Sequence, residues 1–252
     1  MAILPVDSAF VDLLESTGVW RPDCPLSIER LVNLEISYCD FEGEIRDDGL
    51  ITVIDVLAES VERMFKELLE LRFPVDKIRS MHHYLGNDEL SMGDNNTSGF
   101  NSRSIAGTNT FSIHSYGAAI DINPLQNPYL QIDEESGMVK VNPPKGWSYL
   151  NRRNRKVGMV EEIVPVLARH GFVVWGGTWT TPVDYHHFQL PRFMAELLAS
   201  IEPDEGRSLL SQYMEVCQDL KDDLKAEDLL GVRAADPESF RHIFAELICA
   251  SA

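Results

Sequence analysis

No run of roughly eighteen apolar residues, the length a helix needs to cross a membrane, occurs in this 252-residue chain, so no spanning segment is expected. The first residues, Met1 to Asp7, lack both a basic start and a long apolar core, so no signal peptide is apparent. Positive charge is scarce: 22 Lys and Arg stand against 40 Asp and Glu, a formal net charge of −18. Nucleic-acid binding rests on Lys and Arg neutralising phosphates, which makes a nucleic-acid partner unexpected. The same excess opposes long-range attraction to an anionic surface and favours solubility.

Cysteine is rare too. Cys24, Cys39, Cys217 and Cys249 show no CxxC spacing, which argues against a structural zinc knuckle. Cys24 and Cys39 could pair in an oxidising compartment, but with no sign of export free buried thiols are the expected state. There is no internal repeat, no low-complexity tract and no HExxH pair, so the commonest helical zinc site is excluded.

The length suits one full domain plus additional material, or two small domains, and a core that does without disulfides. Residues 1–30 read as an irregular lead-in with a short helix near Ala9 to Thr17, and Val32 to Tyr38 as a first strand ending at Asp40-Phe41-Glu42-Gly43. From Thr52 to Leu71, Ile54, Leu57, Val61, Met64, Phe65 and Leu68 recur at helical spacing. Gly93 to Thr110, dense in Asn, Ser, Gly and Thr, reads as a long loop, a kind of segment that often carries function. Ala118 to Asn123 should be a strand stopped by Pro124, with Ala119, Asp121 and Asn123 on one face.

A loop is expected over Pro124 to Arg155, then a helix from Val157 to His170 capped by Gly171, with Pro165 a candidate kink. Phe172 to Trp175 and His187 to Leu190 read as a hairpin-like pair of strands. Beyond Pro191 the chain reads as acidic and helical, with a break around Glu202 to Gly206. The division expected is 1–30 lead-in, 31–194 central domain and 195–252 helical extension. The fold class is α+β, a small antiparallel sheet with flanking helices.

Of the histidines at 82, 83, 114, 170, 186, 187 and 242, two stand in unusual company. Ser112-Ile113-His114-Ser115-Tyr116-Gly117-Ala118-Ala119-Ile120-Asp121 runs a histidine through a glycine turn into a strand bearing an aspartate. Strands disfavour Asp, and burying one without a cation is costly. Further on, Asp184-Tyr185-His186-His187-Phe188 sets a carboxylate three residues before a histidine. Zinc in hydrolases takes three N or O ligands and leaves one position open, which suits such residues. Taken singly, each has an ordinary alternative as a hydrogen-bonded or surface group. His82, His83 and His242 read as structural, and His170 suits a helix C-terminus.

Together these blocks resemble the zinc D-Ala-D-Ala carboxypeptidase and L-Ala-D-Glu endopeptidase family, which includes VanY-like and endolysin-type peptidases. Ser112 to Asp121 matches its SxHxxGxAxD motif, and the likeness extends through Asn95 to Arg103, Ile122 to Tyr129, Gly171 to Trp179 and Asp184 to Phe188. It covers roughly residues 30 to 192. The resemblance implies a hedgehog/D,D-peptidase-like fold and Zn2+ as cofactor, held by His114, Asp121 and His187. It also implies Asp184 as general base and Arg103 as the group that orients substrate or steadies a developing oxyanion.

Ser112, Trp175, Trp179 and Tyr185 are the candidate substrate-binding residues. The Trp175-Gly176-Gly177-Thr178-Trp179 turn either borders the site or packs two tryptophans on the core. Where the family commonly has Met-His-Phe-Glu, this chain has His186-His187-Phe188-Gln189. Strand alternation sends His186 away from His187, so it reads as a non-ligand, while Gln189 shares the face of His187 without the usual negative charge.

The function implied is hydrolysis of peptidoglycan stem peptides by a protein made in the cytoplasm and acting in the cell envelope after release or delivery. The block from Asn95 to Arg103 leans towards the endopeptidase-like branch. Two other readings stay open: a non-catalytic zinc-binding module of hedgehog-like type, and a delivered wall-degrading toxin or lysin. The tail is then either a docking element for a protein partner or a cap on the catalytic domain.

Overall fold

A computed structural model describes residues 1–219 apart from Glu134. His242 and Cys249 lie outside the described residues, as does the rest of the tail after residue 219. Its architecture is α+β, as expected, but with several small sheets in place of one.

The first sheet is antiparallel, in the order β1 (Ala2–Pro5), β2 (Leu31–Cys39), β3 (Ile45–Ile54). The Asp40–Gly43 turn joins β2 to β3, and the Asp40 carboxylate accepts from the Glu42 and Glu44 amides inside it. Between β1 and β2 runs α1 (Ser8–Ser16), capped by the Asp7 side chain on the Phe10 amide. Helix α2 (Ala58–Glu70) buries Val61, Met64, Phe65 and Leu68 along one stripe. Each such side chain contributes about 1.5–3 kcal/mol when taken out of water. The expected helix start at Thr52 is wrong: Thr52 to Ile54 finish β3, and a single tight turn at Asp55–Leu57 leads into α2. Ile51-Thr52-Val53-Ile54 is a β-branched run, which favours the pleated conformation.

A two-stranded parallel pair, β4 (Lys77–Ile78) and β5 (Asn96–Thr97), brackets α3 (Asp88–Gly93). The expected loop from Gly93 to Thr110 is otherwise irregular, and its backbone is tied down locally. The Phe100 amide donates to Thr52 O, and Ser98 exchanges two backbone bonds with Asp121.

The sheet that positions the site has the order β6 (Ala119–Asp121), β11 (His187–Gln189), β9 (Val174–Trp175), all antiparallel. The expected pairing of the segments around Trp175 and His187 is present. Ile120, Phe188 and Trp175 face the core, and the Trp175 ring stacks on Phe188 at 6.1 Å. A third three-stranded sheet has the order β10 (Val183–Asp184), β7 (Tyr129–Ile132), β8 (Val139–Asn142), and its β7 and β8 fall in the segment expected to be loop.

The expected helix over 157–170 is shorter. A tight turn at Val160–Glu162 precedes α4 (Val164–Arg169). Pro165 lies in the first turn of α4 and does not kink a helix, because the amide it lacks would have no partner there. Gly171 caps α4 at φ +94°, as expected.

Helices α5 (Arg192–Ser200) and α6 (Pro203–Asp219) are separated at Ile201–Glu202, so the expected break is present but ends at Glu202, and Pro203 to Gly206 form the first turn of α6. Both helices pack into the common core. Leu198, Leu210 and Tyr213 are buried, and the Tyr213 hydroxyl donates to Gly171 O at 2.7 Å. Arg30 donates to the Leu198 and Ile201 carbonyls while pairing with Asp55 at 2.8 Å. Three of the four cysteines, Cys24, Cys39 and Cys217, are free thiols among the described residues.

Candidate metal centre

Two strands and one tight turn bring the site together. In the antiparallel register His187 stands opposite Asp121, so residues 66 apart in the chain become cross-strand neighbours. His114 sits in the turn Ile113–Tyr116, and its own amide donates to Ser112 Oγ. Gly117 then reverses the chain into β6 at φ +63°, and a Cβ there would lie 2.5 Å from the Ile54 nitrogen. Only glycine fits this turn. Asp121 is held from its other side by the Ser98 bridge.

His114, Asp121 and His187 are all buried and converge. His114 Nε2 lies 3.1 Å from Asp121 Oδ1 and 3.1 Å from His187 Nδ1, and His187 Nδ1 lies 2.9 Å from Asp121 Oδ1. Ligands about 2.0–2.1 Å from a tetrahedral ion stand ~3.3 Å apart, close to this triangle.

The opposite ring nitrogens are already committed. His114 Nδ1 lies 2.6 Å from Gly99 O, and His187 Nε2 lies 2.8 Å from Gln189 Oε1. Each must donate its hydrogen there, since a carbonyl oxygen only accepts. In the neutral rings the converging nitrogens therefore present lone pairs to one another and to a carboxylate. Such a trio lacks a positive charge at its centre, and a divalent ion supplies one. Two neutral imidazoles and one carboxylate would leave that ion with a net charge of +1. The donor set fits Zn2+, which favours these N and O ligands.

Electrostatics agree. Burial pushes the Asp121 carboxyl up, but the neighbouring His114 and His186 rings, together with His187, outweigh it and hold the carboxyl well below the usual carboxylate range. Burial works against a charge on His187, yet Asp121 and then Asp184 raise its pKa above the ordinary histidine value. The Asp184 carboxyl moves the other way from Asp121: burial raises it, and the nearby histidines only partly offset that. A carboxyl raised in this manner is suited to accept a proton.

Asp184 pairs with Tyr129 across β10 and β7. Its side chain is largely buried, and Oδ1 has no hydrogen-bond partner among the described residues. Trp179 sets its ring 5.4 Å from the His187 ring and so walls the centre. Tyr185 stacks under the Arg152 guanidinium at 4.3 Å. Trp175 is mostly core: its ring nitrogen donates to Tyr185 O at 2.8 Å. Ser112 serves the His114 turn. Arg103 pairs with Asp88, while its amide donates to Ser115 Oγ at 3.0 Å.

His186 is not one of the three converging residues, but alternation misplaces its ring. It does not leave the site, because Nε2 stands 3.8 Å from Asp121 Oδ2. Residue 186 precedes β11, so the strand rule does not govern it. Sequence reasoning missed two orienting groups, the Gly99 carbonyl and Asn127. A backbone acceptor leaves no mark on side-chain spacing. Asn127 had a signal in its place between Asn123 and Pro128, and its carboxamide ties Ile122, Asn123, Arg152, Gly158 and Val160 together.

Fold and site together define an α+β protein with a buried His–Asp–His centre of the kind that holds a metal ion in hydrolases. Residues 106–190 match the family model described as D-alanyl-D-alanine carboxypeptidase, which bears out the resemblance read from the motifs. The matched segment contains His114, Asp121, Asp184 and His187, and it starts after Arg103. No curated protein and no solved structure matches the chain. Among the described residues, no helix is long and apolar enough to cross a membrane.

Proposed function

We propose that this protein is a zinc-dependent peptidase acting on peptidoglycan stem peptides in the cell envelope. The observation that carries the reading is the meeting of three electron-pair donors, two of them locked by hydrogen bonds on their far side, inside a peptidase-family segment.

His114, Asp121 and His187 hold the ion. Zinc, when bound, polarises the peptide carbonyl and makes water a stronger nucleophile near neutral pH. Asp184 takes the proton from the attacking water at its carboxylate and delivers it to the leaving amine. Its raised pKa supports that exchange. Trp179 shields the His187 side of the centre from bulk water. Arg103, released from Asp88, faces the substrate carboxylate or the developing oxyanion. Tyr185, Trp175 and Ser112 line or support the substrate side. A cationic centre within an acidic protein suits a peptide that carries free carboxylates.

The test is mass spectrometry of purified stem peptides incubated with the zinc-loaded protein. Loss of a terminal D-Ala marks a carboxypeptidase, and scission between L-Ala and D-Glu marks an endopeptidase. Intact peptides at one bound zinc per chain would favour a binding module over an enzyme.

A further inference from the structure

Asp184 Oδ1 is a buried oxygen with no hydrogen-bond partner among the described residues, and a ring nitrogen stands beside it. His186 Nε2 lies 3.0 Å away, near enough to attract but outside hydrogen-bond alignment. A buried acceptor left unpaired is costly, so a small turn of either group towards the other is favoured. The His186 ring is itself 2% exposed, and its Nδ1 lies 2.8 Å from Asn127 O. That carbonyl accepts, so Nδ1 carries a hydrogen and the ring has one orientation.

Asn127 is a rigid anchor. Its Nδ2 donates to Gly158 O at 2.9 Å and its Oδ1 accepts from Arg152 and from the Val160 amide. The chain Asn127–His186–Asp184 therefore runs from a fixed platform to the carboxyl at the edge of the centre. His186 Nε2 also stands between Asp184 Oδ1 and Asp121 Oδ2, at 3.0 and 3.8 Å. An apolar side chain in that place would leave the two carboxyls without a partner between them.

We propose that His186 is a positioning residue that sets the orientation of Asp184, an inference that rests on Asp184 being the base. Its Nδ1 donates to the Asn127 carbonyl and fixes the ring, and one hydrogen shared between its Nε2 and Asp184 Oδ1 sets the angle of the carboxyl. Partners of this kind around metal sites change activity by about 10–100-fold when removed.

The experiment uses the zinc-loaded protein and two variants. His186→Gln keeps a donor near the Nε2 position; His186→Asn keeps only the Nδ1 anchor. The expected result is a kcat loss of about 30-fold in H186N with KM within about two-fold, and recovery to within about three-fold of wild type in H186Q. Zinc content stays unchanged in both.

A second readout does not need turnover: ring 15N resonances of His186, recorded with and without Asp184→Asn. The substitution is expected to move Nε2 and to leave Nδ1 in place. The inference is overturned if Nε2 does not respond, if both variants keep wild-type kcat, if both lose kcat alike, or if H186N sheds its zinc. A wild-type protein that cleaves no peptide refutes the base assignment, and the 15N comparison still decides whether His186 orients Asp184.

Discussion

His187 stands directly across the sheet from Asp121, its Nδ1 2.9 Å from Asp121 Oδ1, while its Nε2 donates to Gln189 two residues further on the same strand. One strand therefore supplies both a donor to the centre and the group that aims it. The remaining donor, His114, is aimed in the same manner by the Gly99 carbonyl.

Gln189 accepts the hydrogen of His187 Nε2 as a neutral amide, so it should act on the ion through the ring. Gln189→Leu is expected to weaken zinc binding by about 10–100-fold, and Gln189→Glu to match or exceed the wild type. Competition titration with a zinc-sensitive chelating dye measures both. Equal affinity in the leucine variant would remove Gln189 from the account.

Asp184→Asn removes the proton acceptor and keeps the shape of the side chain. The expected loss in kcat is about 10²–10⁴-fold with zinc content intact. Burial already disfavours the charge on this carboxyl, so the variant should melt no lower than wild type. Steady-state kinetics and calorimetry check the two halves separately.

Gly117→Ala forces a Cβ to within 2.5 Å of the Ile54 nitrogen at a positive φ. The expected cost is about 2–3 kcal/mol, read by urea unfolding, together with weaker zinc binding because the turn carries His114.

His82 gives the pH dependence of stability. Burial, and then the charge of His83, lowers its pKa from 6.5 to about 4. An unfolded chain takes up that proton near 6.5, so between those values the unfolded state binds more protons and stability falls as pH drops. His82→Phe keeps the edge-on contact with Phe10, 5.3 Å between ring centres in the wild type, and removes the titration. Melting temperatures of the two proteins should diverge from pH 6.5 towards pH 4, with the variant flatter. Parallel curves would exclude His82 as the source.

Residue spacing revealed the centre because its chemistry is compressed into short blocks: a histidine seven residues before an aspartate, and an aspartate three before a histidine. The α+β class was legible for a similar reason, since α2 and the β6–β11 strands carry clear periodicities. What escaped depends on contacts distant in sequence. The hairpin of β7 and β8 hides in a segment whose Pro, Asn and charged residues read as loop. The start of α2 is ambiguous in sequence because Ile54 fits both a strand's end and a helix's apolar stripe. Arg103 pairs with Asp88, fifteen residues upstream, and no motif marks that partner. Strand alternation misplaces His186 because the residue lies one position before β11.

Anomalous diffraction at the zinc edge, from crystals of the zinc-loaded protein, tests the centre most directly. The account predicts one strong peak about 2.0–2.2 Å from His114 Nε2, Asp121 Oδ1 and His187 Nδ1, lost in His187→Ala. A peak held by other residues, or none at these three atoms, would contradict it.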